Sequence, residues 1–401
     1  MPIRTLCASV ILATAACGDV RAAAHVFASL TSGAVSISHI NSATGRQSLV
    51  YPTIPGVRYL AVSPGGGQAL FLADSSSLAG FVNLTTGALS PSIALTGTPA
   101  AAFFSQDGLT AFVIGSDLDQ SGGGDTYTLH LFAIDVTTQA VSIDLKYPSL
   151  AGLQPCCNQS AGFAVSPDGT KLYLPTSTAA ADVIAIFSLP SLTLSQTVTV
   201  GTSSNIFYPT TVAATSDGEY LVIGGSNQDD APILALYSAN TYQELTSVAV
   251  PDPNEAQIEN LVASPTSGAV YAVVRVETTG DYVTTISTPS LNLSAPLALT
   301  ADDSFEDMAV SPDGTKLLVG ASILDLSSQT FQALNSLSTL GVQGEFSDAG
   351  DLWIVNEDST QIAVLEEGNS VVSSLISVGF QGAICPGPPG TIYFLPLGVA
   401  L

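Results

Sequence analysis

Four oxygen-bearing side chains lie within nine residues of this chain: Asp117, Asp119, Ser121 and Asp125. They occupy relative positions 1, 3, 5 and 9 of a glycine-rich segment. Calcium takes several hard oxygen ligands in a flexible geometry, and a glycine lets a tight loop turn those ligands inward. Strand-like runs flank the segment, so we predict a hairpin loop. The spacing predicts a structural Ca²⁺ site with these four residues as ligands, and a flexible acidic loop is the alternative.

This segment resembles the D-x-D-x-D-G-x-x-D calcium loops of integrin α-subunit propellers. The resemblance implies that a hairpin within one blade wraps a single ion. The third ligand position differs from that pattern. It holds Ser121 where those loops carry Asp or Asn, so this segment lacks the charge that an Asp would bring there.

Other residues that could do chemistry are few. His39 and His130 fall inside strand-like runs, and His25 follows the leader-like segment of residues 1–24. We expect packed or surface positions for them rather than catalysis or metal ligation. Gly-x-Ser-x-Gly, His-Glu-x-x-His and Cys-x-x-Cys patterns do not occur in the sequence.

One acidic run precedes a predicted inner strand. Its carboxylates are Asp302, Asp303, Glu306 and Asp307. Carboxylates near a channel can ligate a metal or act as a base. A solvated acidic loop is the simpler interpretation.

Three of the five cysteines follow the leader-like segment: Cys156, Cys157 and Cys385. We predict that Cys385 is not bonded to either of the other two, because they fall at opposite ends of inner strands. Whether Cys156 and Cys157 form a vicinal disulfide stays open. Such a bridge resembles that of quinoprotein alcohol dehydrogenases, but a single tryptophan, Trp353, argues against their repeated docking motifs.

The strongest signal is internal repetition. AVSPDGTKLYL (Ala164 to Leu174) is nearly repeated as AVSPDGTKLLV (Ala309 to Val319), and six looser copies accompany them. The turns recur about every 46 residues, which suits a four-stranded propeller blade. In the full motif the proline ring fixes φ at the first corner of the turn. The Asp side chain accepts hydrogen bonds from the backbone that follows, and the glycine adopts the positive φ that closes the turn. The turn positions are Ser63, Ser105, Ser166, Thr215, Ser264, Ser311, Ser347 and Pro386.

The motif and the strand that follows it resemble the YVTN family of β-propeller repeats of bacterial surface-layer and lactonase-like proteins. The resemblance covers roughly residues 26–401 and implies an all-β propeller of four-stranded blades. We predict eight blades, with seven as the alternative, closed by pairing of the N-terminal and C-terminal strands.

Residues 1–24 resemble a signal peptide, with Arg4 before an apolar run and small residues before His25. Lipidation at Cys17 is the alternative. Residues 25–401 then form one propeller domain. The balance of 8 basic and 33 acidic residues gives a net charge of −25, which excludes a basic surface for nucleic acid or anionic membranes.

The sequence therefore predicts a secreted, periplasmic or cell-surface propeller. We expect a monomeric, non-enzymatic scaffold that binds an unknown protein or small molecule. The alternative is a lactonase-like or lyase-like enzyme with an acidic, metal-assisted site at the channel. Two insertions between Ser105 and Ser166 should enlarge one face near the second and third blades.

Overall fold

The structure is a computed structural model of the 401-residue chain. It describes residues 57–64, 68–73, 77–83, 88–119, 126–151, 162–201, 207–227, 231–250, 256–276, 280–299, 308–311, 313–319 and 322–333. Before residue 57 and after residue 333 it describes isolated strands. The described residues contain no helix, and so none with the length and apolarity to cross a membrane.

The described strands run in chain order through antiparallel sheets. The first sheet has three strands: β1 (His25–Phe27), β2 (Ser38–Asn41) and β3 (Arg46–Val50). Seven sheets of four or five strands follow, which we call blades 1 to 7. A two-stranded sheet of β33 (Gly382–Pro386) and β34 (Ile392–Pro396) ends the chain.

Within each blade the strands are ordered from the first, or inner, strand outwards. Blade 1 contains β4 (Val57–Val62), β5 (Gln68–Ala73), β6 (Leu78–Asn83) and β7 (Ile93–Ala94). Blade 2 contains β8 (Thr98–Phe104), β9 (Thr110–Asp119), β10 (Thr126–Asp135) and β11 (Ala140–Ala151). Blade 3 contains β12 (Ala164–Val165), β13 (Lys171–Ser177), β14 (Asp182–Ser188) and β15 (Thr193–Thr199). Blade 4 contains β16 (Phe207–Ala214), β17 (Tyr220–Asn227), β18 (Pro232–Ser238) and β19 (Glu244–Ala249).

Blade 5 has a divided outer edge, since two short strands pair with its third strand. It contains β20 (Ala256–Ala263), β21 (Ala269–Val276), β22 (Tyr282–Ser287), β23 (Asn292–Leu293) and β24 (Leu297–Ala298). Blade 6 contains β25 (Met308–Val310), β26 (Lys316–Val319), β27 (Ser322–Asp325) and β28 (Thr330–Ala333). Blade 7 contains β29 (Val342–Phe346), β30 (Leu352–Asn356), β31 (Gln361–Leu365) and β32 (Ser374–Ser377).

The core is a series of apolar layers between neighbouring blades. One cluster lies between each pair of blades from blades 1 and 2 to blades 5 and 6. The second and third strands are therefore apolar on both faces, as in β14, where five consecutive residues are buried. The outer strand β15 is mostly exposed. Each blade is thus stabilised by its neighbours.

The Ser-Pro-Asp-Gly turns form as the sequence predicts. In the turn of blade 6 the Ser311 hydroxyl donates to Asp313 Oδ1 at 2.6 Å, and the Thr315 amide donates to the same oxygen at 3.0 Å. Gly314 adopts a φ of +71° there, which a glycine accepts without strain.

Neighbouring turns are also bonded to each other. Gln106 Nε2 in blade 2 donates to the Pro167 carbonyl of blade 3 at 2.6 Å. Ser216 Oγ in blade 4 donates to the Ser267 carbonyl of blade 5 at 2.9 Å. The turns therefore gather at one end of the blades.

The inner strands lie side by side and share an irregularity. In blades 1, 2, 4 and 5 a β-bulge interrupts the pairing of the inner strand with its neighbour. The extra residue stands five positions before the first turn residue in each case: Arg58, Ala100, Thr210 and Glu259. Such bulges bend a strand and redirect a side chain.

The termini approach each other. Strand β1 lies against β34, and β33 lies between β29 and β4. In the described residues β1 and β34 nevertheless belong to separate sheets, so the predicted pairing of the termini is not seen as a hydrogen-bonded ladder.

Candidate binding face

The two ends of the blades differ in the connections that they carry. We call the end with the Ser-Pro-Asp-Gly turns the turn end. The opposite end, where the inner strands begin and the second strands finish, we call the loop end. The loop end also carries the connections from each outer strand to the next blade.

The carboxylates of the turn end are structural. The Ser166 hydroxyl and the Thr170 amide hold the pKa of Asp168 below its usual value, and Ser311 does the same for Asp313. Hydroxyl and amide donors around Asp325 lower its pKa to about 2. Hydrogen bonds to the ionised form explain these shifts, so these carboxylates are engaged within their own turns.

Three carboxylates of the loop end show the opposite behaviour. Burial raises the pKa of Glu259, an effect that Arg275 opposes and Asp281 adds to. Burial also raises the pKa of Asp281 and of Asp182. Carboxylates whose pKa is shifted by desolvation beside a charged partner are candidates for functional sites.

Blade 5 supplies one group of these charges. Glu259 is the bulge residue of β20, and its Oε1 lies 3.7 Å from the Arg275 guanidinium on β21. Asp281, just before β22, accepts a hydrogen bond from the Val276 amide at 2.8 Å. Two carboxylates therefore share one exposed arginine.

Blade 2 supplies a second group, centred on His130 of β10. Its Nδ1 lies 3.6 Å from Asp117 Oδ1 on β9, and its Nε2 lies 3.4 Å from Asp144 Oδ1 on β11. Lys146 on β11 contacts Asp117 Oδ2, and the Thr96 hydroxyl donates to Asp144 Oδ2 at 3.0 Å. Strand register brings these residues together. Lys146 pairs with His130, and Asp117 pairs with Thr128, which stands two positions before His130 on β10.

His130 is the most unusual member of this group. Only 4% of the residue is exposed, and Nδ1 has no hydrogen-bond partner among the described residues. A buried polar atom without a partner costs about 1–3 kcal/mol. The arrangement is therefore not one that stability alone explains.

Gly97 allows the connection from blade 1 to lie against this group. A Cβ at Gly97 would stand 2.7 Å from Asp117 Oδ1 and 3.1 Å from His130 Nδ1, and its φ is +144°. Any other residue at this position would disturb both side chains, so the group is closed on one side by backbone.

The predicted calcium ligands are placed only in part. Asp117 and Asp119 lie in strand β9, which continues to Asp119, so the predicted loop begins later than its sequence indicated. The Lys146 ammonium already contacts Asp117. Ser121 and Asp125 lie outside the described residues. Among the described residues no group of three or more His, Cys, Asp or Glu side chains is arranged to hold a metal ion.

Several other predicted residues also lie outside the described part: the carboxylates 302, 303, 306 and 307, and Cys156 and Cys157. Cys385 lies in β33 and His39 in β2, and His130 occupies a buried strand position as predicted. What the sequence did not indicate is the charged surroundings of His130. Its partners come from β9 and β11, and only the strand register connects them.

Comparison with known proteins bears on the fold alone. No family model matches the chain, and no curated protein matches it. The chain is similar to a chain of hydrazine synthase from Kuenenia stuttgartiensis, with a TM-score of 0.58 and 15% sequence identity over 80% of this chain and 98% of that chain. Hydrazine synthase contains a β-propeller. With the repeated four-stranded antiparallel sheets, this likeness shows an all-β, β-propeller-like fold.

Proposed function

We propose that this protein is an extracytoplasmic β-propeller scaffold that binds a partner protein, without catalysis, through basic side chains of the partner at the loop end. The contrast between the two ends carries the proposal. Asp168 and Asp313 at the turn end are engaged in their turns, whereas Glu259 and Asp281 at the loop end are desolvated and share one arginine.

The architecture proposed for this scaffold is an eight-bladed ring of the YVTN type. The position of β33 between β29 and β4 supports an eighth inner strand, and the proximity of β1 to β34 supports completion of that blade by the N-terminal strands. A closed ring leaves no free sheet edge to aggregate.

The charge balance at the loop end favours a basic partner. Six described residues there are acidic and three are basic. The acidic residues are Asp117, Asp119, Asp144, Asp182, Glu259 and Asp281, and the basic ones are Arg58, Lys146 and Arg275. A partner cation would supply the counter-charge that Glu259 and Asp281 lack.

A short peptide rich in lysine and arginine tests this proposal by fluorescence anisotropy. We expect the double substitution Glu259→Gln, Asp281→Asn to weaken binding about tenfold. It removes two charge pairs with the peptide, and each such pair contributes up to about 1 kcal/mol. Affinity should also fall as the pH is lowered from 7 towards 4. Protonation removes the charge of these carboxylates, and their raised pKa values start the loss above the ordinary carboxyl range.

The matched control removes two charges from the turn end of blade 4. Glu219→Gln with Glu244→Gln leaves the net charge equal to that of the test variant. Binding by this control should stay within twofold of wild type. Equal weakening by both pairs would mean that the peptide senses only the overall charge of −25, and the proposed binding face would be wrong.

Calcium at the hairpin after β9 remains part of the proposal, as a structural ion. Three carboxylates fall within nine residues of the sequence, Asp117, Asp119 and Asp125, and such charges repel one another unless a cation intervenes. Calcium would supply that charge and compete with Lys146 for Asp117. The melting temperature should rise with calcium, and Asp119→Ala should remove the rise without unfolding the protein. No calorimetric signal at millimolar calcium would exclude the site.

The enzymatic alternative depends on carboxylates at the channel mouth. Of the four described bulge residues, Glu259 is acidic, Arg58 is basic, and Ala100 and Thr210 are neutral. The described bulge residues thus include a single carboxylate rather than a cluster of three, and we favour the binding scaffold.

A further inference from the structure

In blades 2 to 6 the hairpin that joins the third strand to the outer strand contains one residue with a left-handed backbone. It stands four positions after the last residue of the third strand, with φ between 52° and 56°. These residues are Gln139, Leu192, Tyr242, Leu291 and Gln329. A residue in this conformation commonly closes a short hairpin loop.

In blades 3 to 5 this side chain fills the space against the preceding blade. Leu192 is 1% exposed in the layer between blades 2 and 3, and Leu291 is 4% exposed in the layer between blades 4 and 5. Tyr242 packs into the layer between blades 3 and 4. We call this position the plug.

The layer between blades 3 and 4 shows how the plug is filled. Lys171 Nζ lies 5.3 Å from the centre of the Tyr242 ring. Burial, and next the neighbouring Tyr242, raise the pKa of Tyr173. Tyr242 thus lies against Tyr173, and the Lys171 ammonium lies over the Tyr242 ring.

The layer between blades 5 and 6 has a buried tyrosine at the equivalent position, but the residues around it differ. Tyr271 of blade 5 is equivalent in register to Tyr173 of blade 3. Tyr173 pairs with Ile186 and Tyr271 pairs with Thr285, and each of these partners stands two residues before the end of its third strand. Ala269 stands where blade 3 has Lys171, and the plug is Gln329. A cavity of about 290 Å³ opens there, lined by both Tyr271 and Gln329.

The remaining lining of this cavity is polar but uncharged. Thr285, Ser287 and Asn292 of blade 5 face it, together with Ser294. The Ser294 hydroxyl is fixed by the Thr285 amide, which donates to it at 3.0 Å. Leu293 and Leu326 add apolar surface. In a chain with net charge −25, this cavity has no ionisable carboxylate or cation in its lining.

We propose that this cavity is a binding site for a neutral sugar, of the size of one ring. The amides of Gln329 and Asn292 and the hydroxyls of Thr285 and Ser287 both donate and accept hydrogen bonds, as sugar hydroxyls require. The side chains of Leu293 and Leu326 suit the C–H face of such a ring. A charged ligand would find no ionic partner among these lining residues.

This site lies at the turn end, so it goes beyond the proposed function and does not depend on it. The probes are glucose, galactose, mannose and N-acetylglucosamine, with glucuronate as the charged comparison, tested by saturation-transfer NMR and calorimetry. At least one neutral sugar should bind saturably at millimolar concentration or below, and more tightly than glucuronate.

The variant Gln329→Tyr should reduce that affinity at least tenfold, because a phenol ring at the plug fills the cavity as Tyr242 does in blade 4. Gln139→Tyr, at the same position of blade 2, is the matched control and should leave binding unchanged. Should Gln329→Tyr fail to fold, Ser287→Leu obstructs the same cavity and should have the same effect. Absence of binding by all four neutral sugars would overturn the proposal, as would binding that survives Gln329→Tyr or falls equally in Gln139→Tyr.

Discussion

Phe187→Ala should lower the free energy of unfolding by about 3–5 kcal/mol, the range for a large aromatic side chain removed from a packed core. Phe187 is fully buried in the layer between blades 2 and 3, and Tyr147 of blade 2 packs edge-on against its ring at 5.1 Å. The cavity left by the substitution cannot close, because rigid strands bound it on both sides. Urea unfolding followed by circular dichroism measures the change.

Two controls separate packing from hydrophobicity alone. Phe187→Leu keeps most of the volume and should cost less than about 1.5 kcal/mol. Leu245→Ala removes a leucine that is 51% exposed, and should change stability by no more than about 0.5 kcal/mol. A loss below about 1 kcal/mol for Phe187→Ala would mean that blades 2 and 3 do not pack as described.

Gly225→Ala should be the most damaging addition of a single methyl group, with a cost of about 2–3 kcal/mol. Its Cβ would stand 2.0 Å from the Tyr208 carbonyl oxygen, and 2.9 Å from Pro209 Cα on the adjacent inner strand. The atoms that the new Cβ would meet belong to the backbone beside the bulge of β16. A side-chain rotamer change therefore cannot relieve the clash. The same unfolding experiment measures it.

Gly280→Ala is the matched control for Gly225. Gly280 has a φ of +91°, and a Cβ there would meet no atom within 4 Å. It should therefore cost only backbone strain, about 1 kcal/mol. Equal costs for the two substitutions would show that the approach of β16 to β17 is looser than described.

The turns were predictable because their chemistry is local. Ser166, Asp168 and Gly169 lie within four residues, and each does what its type predicts: a hydroxyl donor, an acceptor for downstream backbone, and a positive φ. The strands between turns were predictable for a similar reason, since runs such as DVIAIFS are apolar on both faces.

The end of β9 was not predictable in this way. The polar residues after Gly115 indicated a loop, yet the ladder to β10 continues through Asp117 and Asp119. Strand formation depends on the partner strand as much as on composition. The surroundings of His130 escaped prediction for the same reason, because the register of three strands decides which charges meet.

Two features had a signal in the sequence once the repeats are superposed. Pro99 and Pro209 stand six residues before their turns, and each pairs with a glycine, Gly115 and Gly225. The plug residues likewise line up, so that Gln329 differs visibly from Leu192 and Tyr242. Departures from the repeat, rather than the repeat itself, therefore give the candidates for binding sites.

Hydrogen–deuterium exchange with and without the basic peptide tests the central claim most directly, because it compares the two ends of the blades in one experiment. Binding at the loop end should slow exchange in residues 95–97, 115–119, 256–260 and 275–282. Exchange in the turns at residues 215–220 and 264–269 should not change. Slower exchange at the turns, or unchanged exchange at the loop end under saturating peptide, would contradict the assignment of the loop end as the binding face.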